Sequence, residues 1–360
     1  MPQSLIGIVG ILVILGSAYL LSSNRKAINF RIVSAALALQ IFIAWFVLYF
    51  DVGKQAIISL SNGVQAVIDY SKAGIGMVFG PLANAPDGII FAVNVLPVII
   101  FFSALMSVLY HLQIMQKIVQ FIGGGLHRLL GTGIIESLNA TANVFVGQTE
   151  APLVVKPYLR KLSEPQLFAV MVSGVASVAG TVLAAYVLMG AEMKYLLAAS
   201  FMAAPGGLLM AKIMLPDDPD ETEKDEKVIL KIDKSEHENV ILAAAVGASD
   251  GVKLAVNIGA MLIAFVALIA MFNGIVGGLF SLFGIEGVTL QWILGKIFQP
   301  LMYVLSVPWN EAQAAGSLFG EKLILNEFVA FSNMDQYLAG MSEHTRAIVT
   351  FSLCGFANLS

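Results

Sequence analysis

The chain of 360 residues is 58% hydrophobic and only 12% charged, with a mean hydropathy of +0.84. Soluble domains carry roughly 25% charged residues, so a soluble globular protein is excluded, and a formal net charge of −4 gives no footprint for nucleic acid. The single cysteine, Cys354, excludes an internal disulfide framework and reads as a small apolar core residue.

In chain order, the first apolar run precedes its positive charges. Arg25, Lys26 and Arg31 follow it, the reverse of a cleavable signal, so the run reads as a spanning helix that ends in the cytoplasm. Apolar runs suited to a bilayer predict six spans, at 5–21, 32–50, 88–110, 166–191, a shorter 195–211, and 254–285, the last a span with an extension. The stretch 51–87 reads as an external loop, with Lys54 and Lys72 against Asp51, Asp69 and Asp87. Lys117, Arg128, Lys156, Arg160 and Lys161 put the region 112–165 at the cytoplasm. Within it, "IMQKIVQFIGGGLHRLL" (114–130) has the mixed character of an amphipathic interfacial helix. His111 and His127 read as interfacial histidines. Residues 215–239 are strongly acidic and read as a solvated cytoplasmic loop without the glycine-centred spacing of a calcium-binding loop. Residues 240–253 begin as a second interfacial helix.

Two apolar segments do not read as spans. In 133–155, Gly147 and Pro152 bracket Gln148, Thr149 and Glu150, and the apolar pieces on either side are too short to cross a bilayer. The economical reading is a re-entrant hairpin from the cytoplasmic face. A second such hairpin, 297–334, turns at Asn326–Glu327 and enters from the opposite face. Glu150 and Glu327 are 177 residues apart (327 − 150). Each hairpin is followed by a helix with a small or polar interruption, "SGVASVAG" (173–180) and "GFANLS" (355–360); Ser177 plus the same offset reaches Cys354. Hairpin, then broken helix, twice and in opposed orientation, is the pattern of an inverted-repeat secondary transporter with its site at the midplane. The predicted fold class is thus an all-α polytopic membrane protein with inverted structural repeats, two opposed re-entrant helical hairpins and interrupted transmembrane helices.

An ionisable residue at membrane depth is a functional candidate, and irregular backbone survives there only where protein or water satisfies it. Glu150 and Glu327 are those candidates. The structural alternative is an ion pair, and Lys322 is the one basic residue close to either tip. Glu311 and Glu321 read as lying nearer an interface.

At these residues the sequence resembles the concentrative nucleoside transporters, most closely a bacterial, sodium-coupled type. The matching stretches are "VFVGQTEAPLVVKPYL", "SVAGTVLAAYV", "GASDGVKLAVNIGAMLIAFVALIA", "VPWNEAQAAGSLFGEKLILNEFVAF" and "CGFANLS", in family order. The resemblance implies a multi-pass homotrimer in the bacterial inner (plasma) membrane that imports a nucleoside such as uridine by sodium symport, with an elevator-type displacement of a transport domain. It also implies the domain plan: 1–130, N-terminal spans, scaffold helix and interfacial helix; 131–214, transport repeat 1; 215–239, acidic loop; 240–296, interfacial helix and scaffold span with trimer contacts; 297–360, transport repeat 2.

Carried over by position, the resemblance implies that Gln148, Thr149 and Glu150 face the nucleobase, with Val182 as an apolar neighbour. Glu327 accepts hydrogen bonds from ribose hydroxyls, Asn358 supplies a ribose-binding amide, and Phe356 packs beside them. A Na+ site uses the side chains of Asn143 and Ser177 and the carbonyls of Val146, Ser177 and Val178. Family members run on past "GFANLS" through a further serine, the rest of that helix and a final span. This chain stops at Ser360, so the second repeat is expected to be incomplete, with one ribose contact missing.

Other readings fit less well. A hairpin symporter for anionic solutes calls for an arginine at the tips, and none is there. A membrane-embedded hydrolase using Glu150 and a histidine calls for HExxH, which does not occur, and the four histidines sit at predicted interfaces; the chain is not expected to be an enzyme. Two opposed hairpins argue for alternating access over a channel. Proton coupling through Glu327 stays open beside sodium coupling, which Asn143 together with Ser177 favours.

Overall fold

The computed structural model describes residues 3–84, 90–148, 151–155, 158–159, 162–217 and 238–359, and among these there are helices and no strands. The N-terminal helices are α1 (Gln3–Leu20), α2 (Phe30–Tyr49) and α3 (Asp51–Phe79). Then follow α4 (Leu96–His111), entered through one π-helical turn at Phe91–Val95, and α5 (Ile114–Leu130). The first helix–turn–helix unit is α6 (Ile134–Ala142) and α7 (Ala151–Val154), followed by α8 (Glu164–Ala176), α9 (Gly180–Leu188) and α10 (Met193–Met214). After α11 (Val240–Ser281) and α12 (Leu290–Val304) comes the second unit, α13 (Trp309–Ile324) and α14 (Glu327–Leu338), and then α15 (Glu343–Leu353).

Polar side chains start several of these helices by taking up their unpaired N–H groups. Asn29 accepts from Arg31 and Ile32, Asn239 from Leu242 at 2.9 Å, Asn326 from Val329 at 2.9 Å, and Ser342 from Thr345 at 3.3 Å.

Among the described residues, five stretches are long and apolar enough to cross a membrane: Phe30–Tyr49, Phe91–His111, Glu164–Leu188, Met193–Met214 and Val240–Ser281. The first expected span, 5–21, corresponds to α1, which is apolar but shorter. Their outward faces are apolar: Leu12 on α1 is 63% exposed, Phe42 on α2 54%, and Ile263 on α11 77%. Such faces suit lipid, and the chain is a multi-pass membrane protein.

The expected breaks are present. The stretch read as one span over 166–191 is α8 and α9, separated by non-helical backbone at 177–179. Past α15, residues 354–359 are non-helical. The amphipathic helix expected over 114–130 is α5, which buries Met115, Val119, Gly123, Leu126 and Leu130 along one face.

Three expectations need correction. The stretch 51–87 is no loop over its described part: α3 buries Gly53, Ile57, Ile68, Ser71 and Ile75, a helical stripe that interleaved polar residues had hidden. Residues 240–253 are not a separate interfacial helix. They are the first third of α11, which runs 42 residues without a break, about 63 Å at 1.5 Å per residue. Its glycines continue the helix by packing closely on α4. A Cβ on Gly251 would sit 2.7 Å from Ile100 Cα, and one on Gly247 would sit 2.8 Å from the Ser103 carbonyl. Ser107 Oγ donates across the same contact to the Ala243 carbonyl at 2.7 Å. The close approach of small residues is how helices associate in lipid.

The third correction is the second hairpin's extent, read as 297–334. Its first arm begins only at Trp309, and α12 is a separate helix antiparallel to it. Ser317 Oγ donates to the Gln291 carbonyl at 2.8 Å and Gln299 Nε2 to the Trp309 carbonyl at 3.2 Å. The reversal is made at Ser306, whose φ is 76°. Of the acidic loop 215–239, residues 218–237 lie outside the described residues.

Candidate functional site

Four irregular pieces of backbone converge, two from each half of the chain. The turn after α6 carries Asn143 and Val146, which are 0% and 2% exposed. It lies against the α8–α9 break: a Cβ on Gly180 would sit 2.7 Å from the Phe145 carbonyl, and one on Gly174 would sit 3.3 Å from Gln148 Cβ. The second break lies against the first. Phe356 N–H donates to the Ser177 carbonyl at 3.1 Å. Gly355, with φ at 125°, would bring a Cβ to 3.0 Å from the Ala176 carbonyl, so both its conformation and its surroundings call for glycine.

Glu327 opens α14, one residue after the Asn326 cap, and is 3% exposed. Its Oε1 accepts from the Tyr186 hydroxyl at 3.1 Å and its Oε2 from Asn358 Nδ2 at 2.9 Å. Lys322 is buried one turn away on α13, yet among the described residues no basic nitrogen comes within the 4.0 Å of an ion pair with Glu327. The structural ion pair weighed against a functional Glu327 is therefore not formed. Val182 is buried on α9, one turn from Tyr186 and in the same apolar cluster as Phe328 and Phe331, with Phe356 packed at its edge.

Asn143, Val146, Ser177 and Val178 are all buried and all at the junction of the first turn and the first break. Asn143 Nδ2 is taken by the Asn139 carbonyl at 3.0 Å, while Asn143 Oδ1 is buried without a hydrogen-bond partner among the described residues. An orphaned buried acceptor beside non-helical carbonyls is an oxygen-rich setting that suits a hard cation. The residues present thus fit sodium. Gln148 is exposed at the edge of this junction; Thr149 and Glu150 lie outside the described residues.

Several polar residues were not singled out by sequence. Glu136 on α6 is 1% exposed and pairs with Lys212 of α10 at 2.7 Å; Lys212 Nζ also meets Asp217 at 2.5 Å. Glu136 accepts from Gly133 N–H through its other oxygen at 2.6 Å. Glu321, read as lying nearer an interface, is fully buried and takes Asn333 Nδ2 on both oxygens at 3.0 and 3.2 Å, tying the two arms of the second unit together. Glu311 does lie at the surface, where its Oε2 accepts from Ser342 N–H at 3.0 Å and Ser342 Oγ at 2.9 Å. Partial burial raises its carboxyl, but hydrogen bonds from Thr345 and Ser342 outweigh this and hold it below the ordinary value.

Comparison with known proteins identifies the family. The family model "Na+ dependent nucleoside transporter N-terminus" matches residues 9–82, "Nucleoside recognition" matches 92–193, and "Na+ dependent nucleoside transporter C-terminus" matches 195–360. The chain is 50% identical to "Uncharacterized transporter YutK" of Bacillus subtilis, over 98% of this chain and 87% of that protein. It is 46% identical to "Nucleoside permease NupC" of Helicobacter pylori, over 99% and 87%. Among solved structures, CNTnw in an inward-facing substrate-bound state superposes with a TM-score of 0.92 at 47% identity, covering 99% of this chain and 86% of that one. The chain belongs to the concentrative, Na+-dependent nucleoside transporter family.

Proposed function

We propose that this protein imports nucleosides such as uridine across the bacterial inner membrane, as a homotrimer whose hairpin-bearing domain moves past a scaffold in an elevator-type step. Membership of the family makes it a sodium-coupled nucleoside transporter that works by alternating access, and not an enzyme. The relative CNTnw has been solved in an inward-facing substrate-bound state and, as a variant, in an outward-facing state.

The observation that carries the site reading is Glu327. A nucleoside offers neutral hydroxyl donors, and a buried carboxylate whose neighbours are themselves neutral donors keeps acceptor sites for them; a carboxylate has about four such sites, of which Tyr186 and Asn358 take two. On this reading Glu327 and Asn358 hold the ribose, and Val182 and Phe356 supply apolar walls. Gln148, Thr149 and Glu150 face the nucleobase. Asn143, Val146, Ser177 and Val178 hold the sodium ion. The Phe356–Ser177 hydrogen bond supports coupling between the two sites, because it joins the backbone of one to that of the other. The domain plan follows, with 131–214 and 297–360 as the moving repeats, entering from opposite faces, and α4 and α11 as scaffold. The uncovered apolar side of α11, where Val256, Ile263 and Met271 are exposed, supports a trimer contact along that helix.

Glu327→Gln tests the ribose assignment. Uridine binding to the purified protein should weaken by more than about 1.5 kcal/mol, the lower range for a hydrogen bond to a charged group. Unchanged affinity would remove Glu327 from the site.

A further inference from the structure

Tyr186 has no role among those carried over by resemblance, yet it is one of the two side chains that donate to Glu327, Asn358 being the other. It lies on α9, 0% exposed, and belongs to the first repeat, whereas Glu327 belongs to the second. Its hydroxyl donates to Glu327 Oε1 at 3.1 Å. Its ring stacks on Phe331 with centroids 4.4 Å apart at 22°, and meets Phe328 at 5.0 Å and 60°. Phe328 and Phe331 lie in the first turns of α14, the helix that Glu327 begins. One side chain therefore fixes both the carboxylate and the helix that presents it.

The type of donor matters. The terminal torsion of a glutamate is broad and roughly two-fold, so the plane of its carboxylate is set by its partners and not by its own rotamer. A bidentate guanidinium partner would set that plane but occupy both oxygens and neutralise the charge. A phenol held rigidly by two aromatic neighbours fixes Oε1 with a single neutral hydrogen bond, while Asn358 engages Oε2, so the plane is turned and acceptor sites remain on both oxygens. Two adjacent hydroxyls on a ribose need the plane correctly turned if both are to donate; a ligand with no such hydroxyls has no use for it.

We propose that Tyr186 is a positioning residue that sets the plane of the Glu327 carboxylate, and that it thereby governs how strongly the transporter prefers ribosides over nucleosides lacking the ribose hydroxyls. The inference rests on the reading of Glu327 as the ribose acceptor.

The test is Tyr186→Phe, which removes the hydroxyl and keeps the stacked ring. Affinities for uridine and for 2′,3′-dideoxyuridine are measured on the purified full chain, along with the apparent sodium affinity. Uridine affinity should fall by about tenfold, the scale of one hydrogen bond to a charged group, while dideoxyuridine and sodium affinities stay within about twofold, so the riboside preference collapses. A general structural defect would lower both nucleoside affinities together and leave the ratio unchanged, which would overturn the proposal. So would a uridine affinity equal to that of the unaltered protein. Should Tyr186→Phe fail to fold, Phe331→Leu loosens the ring with the hydroxyl in place and should lower the same ratio in part; an unchanged ratio there overturns the proposal. Glu327→Gln separates the two claims. If it leaves the ratio intact, the ribose reading itself fails; if it collapses the ratio and Tyr186→Phe does not, only the role of Tyr186 fails.

Discussion

Lys212 carries two carboxylates on one ammonium inside the protein, and that imbalance defines what it does. Lys212 and Glu136 are 2% and 1% exposed, and Asp217, at 25%, is the more solvated of the two acids. The cluster fixes the root of α6, the arm that leads two turns later to Asn143. Removing one member of a buried pair leaves an uncompensated charge and costs about 3–5 kcal/mol. Lys212→Met should therefore lower the thermal unfolding midpoint sharply in detergent, and Lys212→Met with Glu136→Gln should recover part of the loss. A single variant as stable as the parent would show that the cluster is not a structural tie. None of this was legible in the sequence. Lys212 sits just past the run read as 195–211 and looks like a span's flanking charge, and its buried partner Glu136 lies on another element that only the fold brings near. Glu327 was legible, because an acid between "LN" and "FVAF" in an apolar segment has few structural explanations. Tyr186 was not, since nothing local distinguishes its hydroxyl from any other in an apolar run.

Elements whose pattern is local were read correctly, and those set by packing were not. The two interruptions at 177–179 and 354–359 were visible as small and polar residues in otherwise helical runs. The continuity of α11 was not, because Gly247 and Gly251 look like weak points until α4 is seen against them. The same contact makes a prediction. Gly251→Val would force a branched side chain into a space where even a Cβ lies 2.7 Å from Ile100 Cα and 2.9 Å from Ser103 Cβ. Overpacking of this kind costs about 1–3 kcal/mol, so the variant should unfold at lower temperature than the parent, with Gly278→Val, a position with no neighbour within 4 Å, as the control. Equal stability of the two variants would mean that α4 and α11 do not depend on that close approach. α3 was missed for a different reason: its apolar stripe is interleaved with Lys54, Gln55, Asn62, Gln65 and Asp69, and charge counting took precedence over period.

At the scale of the whole molecule, the two halves of the chain meet at their irregular points. The Ser177 carbonyl, proposed as a sodium ligand, is the acceptor of Phe356 N–H; Glu327 is held by Tyr186 from one repeat and Asn358 from the other. A cation and a nucleoside bound there would share backbone, which gives a physical route by which one favours the other, and coupling of this kind is reciprocal. The sequence-level pattern of hairpin and broken helix anticipated the convergence, but not which atoms would touch. The most direct test of this account is uptake of labelled uridine by proteoliposomes of the full-length protein. Uptake should rise when an inward sodium gradient is imposed and fall to the level of empty vesicles when the gradient is dissipated. Uptake indifferent to the sodium gradient but driven by a pH gradient would contradict it.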